Sequence, residues 1–204
     1  MTPIPEPLAC LAGIMSTFRP RWYLCRGWAV DSWLGRQTRD HADLDFAVFQ
    51  DDQHTLFDHL AGWQLIGHDD NVADDSSEPW DGRRLDLPAH IHARSDDGVH
   101  LDIQVNERSG RDWIFSREPR ITLPLRRCAQ QSPWGLPTAG PEVILFYKAN
   151  PPRWRDGLRP ALRRRDERDF LALLPHLTEE QRSWLRDAIS LVHPGHPWLP
   201  QNSL

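Results

Sequence analysis

The sequence is poor in cysteine and lysine, and it contains no long apolar run. Its three cysteines, Cys10, Cys25 and Cys128, are odd in number and lie far apart, which excludes a disulfide framework and a CxxC metal pair. No apolar segment approaches the roughly 18 residues that a membrane-spanning helix needs. The first residues also lack the basic stretch of a signal peptide. We therefore expect a cytoplasmic protein with no membrane contact.

Positive charge is scarce as well. Lys148 is the single lysine, and 24 basic residues face 29 acidic ones, which leaves a net charge of −5. Because proteins that bind nucleic acids carry a basic excess or a basic face, we expect no nucleic acid as a partner. The sequence also lacks a P-loop, a dinucleotide fingerprint, an HExxH motif and a Gly-x-Ser-x-Gly elbow, so those chemistries are excluded.

The order of the predicted elements indicates an α+β fold. Periodicity and turn signals predict helices at 5–18, 28–34, 51–60, 139–149, 163–174 and 178–192. They predict strands at 22–25, 44–49, 62–68, 89–94 and 99–106, short strands near 113–116 and 120–126, and an acidic loop at 69–83. This order favours a mixed sheet flanked by helices in residues 1–137 and a small helical subdomain in 138–204. We expect a monomer or a homodimer.

Two aspartates share one face of a predicted strand. Side chains at i and i+2 of a strand point the same way, so Asp43 and Asp45 project together while Leu44, Phe46 and Val48 face the core. Paired carboxylates repel unless a cation neutralises them, and hard oxygen ligands suit Mg²⁺. By itself the pattern also fits two solvated aspartates on an edge strand.

A glycine precedes this pair at the start of a predicted helix. The strand at 22–25 leads directly to Gly27, where free backbone N–H groups and the positive end of the helix dipole attract an anion. An ordinary strand-to-helix turn has the same appearance. The glycine turn and the carboxylate pair together indicate a site for a phosphate and a metal ion.

A third carboxylate is expected from a later strand. Asp102 lies on the polar face of the strand at 99–106, where it is able to reach a metal ion or accept a proton. Asp86 is the alternative, although neighbouring arginines and a following proline favour a structural ion pair for it. We prefer Asp102.

A longer motif surrounds these residues. Residues 23–49 contain in order Arg26-Gly27, Trp-Ala-Val-Asp31, Leu-Gly-Arg36, Thr-Arg39, His41 and Asp43-Leu-Asp45. This segment resembles the signature of antibiotic-type nucleotidyltransferases, which include aminoglycoside and lincosamide adenylyltransferases within the DNA polymerase beta-like superfamily. Looser similarity follows at Leu101-Asp-Ile103, at Pro141 to Lys148 and at Arg165 to Phe170.

The resemblance implies an enzyme with the polymerase beta-like nucleotidyltransferase fold. It would transfer a nucleoside monophosphate to a hydroxyl of a small-molecule acceptor such as an antibiotic. The donor would be ATP, which supplies AMP, or another nucleoside triphosphate. Asp43, Asp45 and Asp102 would be catalytic and would bind two Mg²⁺ ions. Gly27 would receive the triphosphate, and Lys148 matches a family lysine that approaches the nucleotide.

One position departs from the family pattern, because Arg26 stands where the family has a glycine. An arginine there would either add a charge-assisted bond to a phosphate or fill the space that a bare backbone leaves open. The second possibility supports an alternative function, in which the chain is a catalytically degenerate member that acts as a binding or regulatory module, such as a toxin–antitoxin partner.

Arg39 and His41, just before the aspartates, each allow two interpretations. Arg39 either contacts phosphate or forms a salt bridge with Asp31 or Asp40. His41 either lines the site or is an exposed turn residue. Asp31 is expected to orient Arg39 or the glycine turn.

Two further histidines alternate along a later strand. His90 and His92 have the spacing of a metal-binding pair. We see no third soft ligand near them in the sequence, so strand packing is the favoured interpretation.

Overall fold

The structure, a computed structural model, describes residues 2–69, 78–149 and 163–199. The predicted acidic loop at 69–83 lies mostly outside the described residues. Within them the helices are α1 (Glu6–Ile14), α2 (Arg26–Leu34), α3 (Gln53–His59), α4 (Leu125–Cys128), α5 (Pro141–Ala149), α6 (Arg164–Leu173) and α7 (Glu179–Val192). The strands are β1 (Tyr23–Leu24), β2 (Leu44–Phe49), β3 (Gln64–Asp69), β4 (Glu78–Pro79), β5 (Ala89–Arg94), β6 (His100–Ser109), β7 (Asp112–Ile114), β8 (Thr122–Pro124), β9 (Ala129–Gln131) and β10 (Pro137–Ala139).

These strands form a mixed sheet, which confirms the predicted α+β class. The main path of the sheet is β4-β3-β5-β6-β2-β1-β10-β9, and β7 and β8 continue from β6. Strand β2 runs parallel to β6 and antiparallel to β1, whereas β5 is antiparallel to both β3 and β6. The two strands that carry the predicted carboxylates are therefore neighbours near the centre of the sheet.

Strand β2 is buried on both faces. Phe46 and Val48 on one face and Ala47 and Phe49 on the other are fully buried. Only the start of the strand approaches solvent. Even there Asp45 is buried, with 8% of its surface exposed. The sequence pattern predicts the alternation correctly, but it misses the burial of the second face.

Helix α2 begins two residues earlier than predicted. It starts at Arg26, which has a left-handed φ of 54°, and ends before Gly35, whose φ of 63° closes the helix. The N–H of Cys25 donates a hydrogen bond to the carbonyl of Asp45, at 3.1 Å. This bond ties the start of the helix to the strand that carries the aspartates.

The last third of the described chain is helical, as predicted. Thr178 caps α7 through a reciprocal capping box with Gln181. Buried Glu142 on α5 accepts hydrogen bonds from Arg127 and from Gln181, and so links these helices to each other and to the end of α4. Strand β10 lies at the proposed domain boundary, which stays a prediction. No helix in the ranges that the structure describes is long and apolar enough to cross a membrane.

Candidate active site

The sheet brings two of the predicted carboxylates together. Asp45 on β2 and Asp102 on β6 are directly opposite each other across a parallel strand pair, so both side chains project from the same face. Only 12% of the Asp45 side chain and 14% of the Asp102 side chain are exposed. Asp43 is exposed and lies immediately before β2. Asp86 is exposed in the segment between β4 and β5.

The electrostatics of this pair favour a cation. The pKa of Asp45 is raised to about 7, mainly by burial; Arg26 and Lys148 act in the opposite direction, and the negative charges of Asp102 and Asp43 contribute to the increase. A carboxylate whose pKa is raised by burial and by like charges is short of positive charge. Clustered carboxylate oxygens are also the donors that Mg²⁺ prefers, so the residues present fit that ion.

Arg26 supplies part of the missing charge. Its Nε lies 3.3 Å from Oδ1 of Asp45, and its Nη1 lies 3.8 Å from Oδ2 of Asp102. The Arg26 side chain is 53% exposed, whereas the two carboxylates that it contacts are largely buried. The arginine thus occupies the carboxylate face of the site.

Gly27 lies beneath a buried polar cluster. The His41 side chain, 4% exposed, places Nε2 2.6 Å from Oδ2 of Asp31 and Nδ1 2.9 Å from Nη1 of Arg39. Its ring also packs on Trp28, with the ring centroids 4.3 Å apart. The His41 side chain is therefore buried against the glycine turn. The interpretation of His41 as an exposed turn residue is wrong.

Asp31 anchors this cluster. Burial alone would raise its pKa, but hydrogen bonds from His41 and Thr38 more than offset that effect and lower it. One of the two interpretations of Arg39 is a salt bridge with Asp31 or Asp40; the structure instead places Nη2 of Arg39 3.4 Å from Oδ2 of Asp169 on α6. The sequence could not reveal this partner, because the two residues are brought together only by the packing of α6 on α2.

Lys148 belongs to the same charged group. Its Nζ lies 2.6 Å from Oδ2 of Asp169 and 3.1 Å from Oδ1 of Asp166, and only 9% of the side chain is exposed. Its charge also lowers the pKa of Asp45, so it lies on the side of the carboxylates. Asp169 therefore holds two of the three cations, Lys148 and Arg39, that the sequence suggests for the nucleotide.

A test of the packing around Gly27 follows from its neighbours. A Cβ at this position would lie 2.5 Å from Nδ1 and 2.7 Å from Cε1 of His41. We expect Gly27→Ala to destabilise the protein by about 1–3 kcal/mol, because the buried cluster must shift to admit the methyl group. Urea unfolding measures this change.

Gly13 is the matched control, since it is also a helical glycine without a positive φ. Nothing lies within 4 Å of a Cβ added there. Gly13→Ala should leave stability unchanged or raise it by up to about 1 kcal/mol. A Gly27→Ala protein as stable as the Gly13→Ala protein would contradict the described packing.

Similarity to known proteins agrees with this geometry. A sequence model of the aminoglycoside-2''-adenylyltransferase family matches residues 11–122, which include α2, β2 and β6. No curated protein sequence is significantly similar to the chain. Among solved structures, a solution structure of the antibiotic-resistance factor ANT(2'')-Ia is 15% identical with a TM-score of 0.59, over 92% of this chain and 91% of that one.

Two crystal structures are similar to the chain in the same way. ANT(2'')-Ia in complex with adenylyl-2''-tobramycin is 15% identical with a TM-score of 0.59, over 91% of this chain and 96% of that one. The lincosamide antibiotic adenylyltransferase LnuA, bound to lincomycin, is 16% identical with a TM-score of 0.55, over 85% and 98%. At this identity the similarity shows the fold, and the match to the sequence model shows the family. The resemblance to nucleotidyltransferase enzymes is confirmed, and the chain belongs to the aminoglycoside-2''-adenylyltransferase family.

Proposed function

We propose that this protein is a magnesium-dependent adenylyltransferase that moves AMP from ATP to a hydroxyl group of an aminoglycoside or lincosamide. The observation that carries the proposal is the buried pair formed by Asp45 and Asp102 on neighbouring parallel strands, with Asp43 beside it. Family membership supports the reaction, and the antibiotics bound by ANT(2'')-Ia and LnuA support the class of acceptor.

The proposed roles follow from where each side chain lies. Asp43, Asp45 and Asp102 would hold the metal ions, which when bound neutralise the triphosphate and the departing pyrophosphate. Asp102 accepts the proton of the acceptor hydroxyl as the hydroxyl oxygen bonds to the α-phosphorus. The bond from that phosphorus to the bridging oxygen breaks, and pyrophosphate leaves with the electron pair.

The phosphate side of the proposed site has four contributors. The N-terminus of α2 at Gly27 offers backbone N–H groups to the triphosphate. Arg26 would turn from the carboxylates to a phosphate oxygen when cations occupy the aspartates. Lys148 and Arg39 would each exchange a contact with Asp169 for one with the nucleotide.

An assay with ATP labelled on the α-phosphate tests this function. Label should move to at least one aminoglycoside or lincosamide with release of pyrophosphate, and only when Mg²⁺ is present. Absence of transfer to every acceptor in both classes, together with absence of Mg·ATP binding, would contradict the proposal.

Arg26 is the observation that favours the alternative function, a degenerate member that binds or regulates. Its guanidinium lies against Asp45 and Asp102, and a permanent contact there would exclude metal and triphosphate.

Four further points remain proposals from the sequence. They are the cytoplasmic location, the lack of a nucleic-acid partner, the monomeric or homodimeric state and the division at residue 137.

Replacing Arg26 separates the two functions. Because the side chain is half exposed, we expect Arg26→Gly to change Mg·ATP affinity by less than about tenfold, or 1.4 kcal/mol. Calorimetric titration of the natural and variant proteins measures this. Arg26→Gln is the control, because it keeps a side chain on the left-handed backbone but removes the charge. Tight binding gained by both variants and absent from the natural protein would favour the degenerate function.

A further inference from the structure

Three histidines converge on one face of the sheet, on strands that carry none of the residues assigned so far. His68 on β3 is paired directly across the strands with His90 on β5, and His92 follows two residues later on the same face. The ring centroid of His68 lies 4.5 Å from that of His90 and 4.5 Å from that of His92, and the centroids of His90 and His92 are 4.9 Å apart. The sequence interpretation, which saw no third ligand near His90 and His92, is therefore wrong.

The three rings have the composition of a metal site and lie close enough together to share one ion. One ring nitrogen from each histidine lies within 4.8 Å of the other two. Bonds of about 2.1 Å to a tetrahedral Zn²⁺ ion would require nitrogens about 3.4 Å apart, so a closure of at most about 1.4 Å is needed. His92 is exposed and His68 and His90 are half-buried, so ring rotation at the open side of the cluster is able to supply it.

The backbone beneath the cluster is fixed by the sheet. Strands β3 and β5 are paired in register from Gln64 with Arg94 to Asp69 with Ala89. Ligands that project from such a ladder lose little backbone freedom when an ion binds. The strand pairing and the i, i+2 spacing thus fix the backbone positions of the three histidines before an ion binds.

We propose that His68, His90 and His92 bind a transition-metal cation of the Zn²⁺ type. Imidazole nitrogens prefer Zn²⁺, Ni²⁺ and Cu²⁺, whereas carboxylate oxygens prefer Mg²⁺, so this site and the aspartates select different ions. Three protein ligands leave a fourth position of a tetrahedral ion open to water or to a donor atom of a bound molecule.

The place of this site in the sheet connects it to the carboxylates. His92 is directly opposite Asp102 across the β5–β6 pair, and His90 is opposite Gln104, which donates a hydrogen bond to Asp102 at 2.7 Å. A cation held by the histidines would therefore lie one strand away from Asp102, on the same face. The proposal does not depend on the nucleotidyl transfer reaction.

Titration of Zn²⁺ into the full-length, tag-free and metal-stripped protein tests the proposal. With Mg²⁺ in excess to occupy the aspartates, calorimetry should show one saturable Zn²⁺ per chain. Because loss of a residue that merely supports a ligand lowers metal affinity 10–100-fold, His92→Gln should weaken binding by at least about tenfold. His92 is exposed, so this variant is expected to fold, and circular dichroism in the absence of metal checks it.

Two controls place the ion. His54→Gln removes a histidine on α3 whose side chain is 80% exposed, and it should bind Zn²⁺ like the natural protein. Asp45→Asn should also retain Zn²⁺ binding if the histidines are the ligands. The proposal is overturned if no saturable binding occurs, if His92→Gln and His90→Gln both bind as tightly as the natural protein, or if Asp45→Asn alone abolishes binding.

Discussion

Replacing Asp102 by Asn should lower the rate of nucleotidyl transfer by at least about 10³-fold, or about 4 kcal/mol in activation free energy. The expected size reflects two losses. The carboxylate of Asp102 lies opposite Asp45 as part of the proposed metal site, and it is also the proposed proton acceptor. Stabilisation of charge by a bound metal ion contributes several kcal/mol in the transition state. Steady-state kinetics with saturating Mg·ATP measures the change.

Asp86→Asn is the matched control, because Asp86 is the other aspartate that the sequence offers as third carboxylate. It is exposed between β4 and β5, so its replacement should leave the rate within about twofold of the natural value. Asp45→Asn should be as damaging as Asp102→Asn. A large loss for Asp86→Asn and a small one for Asp102→Asn would reverse the assignment.

Asp45→Asn should make the metal-free protein more stable at pH 8, although it removes activity. The pKa of Asp45 is about 7 in the folded protein, mainly through burial. An unfolded aspartate has a pKa near 3.9. Between these values the folded state binds more protons than the unfolded state, so stability falls as the pH rises from about 4 to about 7. Above pH 7 the full cost of ionising the buried carboxylate is present, and asparagine avoids it.

The expected gain is on the order of 1–4 kcal/mol at pH 8, the upper limit corresponding to about three pKa units. Urea unfolding in the presence of EDTA at pH 5 and pH 8 measures it. The difference between the two proteins should shrink at pH 5, where Asp45 is already protonated. Added Mg²⁺ should stabilise the natural protein more than the variant. A less stable Asp45→Asn protein at pH 8 would show that the carboxylate has a structural function instead.

Local patterns predicted the elements that carry the site. Strand β2 occupies the predicted residues, and the two-residue period of strands places Asp45 and Asp102 on the same face of the sheet. The helices from α5 onward follow their proline and glycine boundaries within about two residues. Short strands such as β9 and β10 were missed, since β10 pairs with β1 and such a contact leaves no periodic signal.

The contacts of the site were harder to predict than its residues. The sequence identifies Arg26 as unusual, but only the structure shows its guanidinium between two carboxylates. The same is true of His68, whose register with His90 is set by the pairing of β3 and β5. In each case the partner comes from a different element, and its position depends on tertiary packing.

Lys148 and Arg39 share Asp169, so the free energy of moving one cation away from Asp169 depends on whether the other is still there. Only 7% of the Asp169 side chain is exposed, so a buried carboxylate with neither cation would be costly. Either cation can turn to a phosphate while the other still neutralises Asp169. Departure of the second would then cost more than departure of the first. In the proposed site, recognition of a triphosphate by both residues would consequently be anticooperative unless α6 moves with them, which would link nucleotide affinity to the docking of a helix outside the sheet.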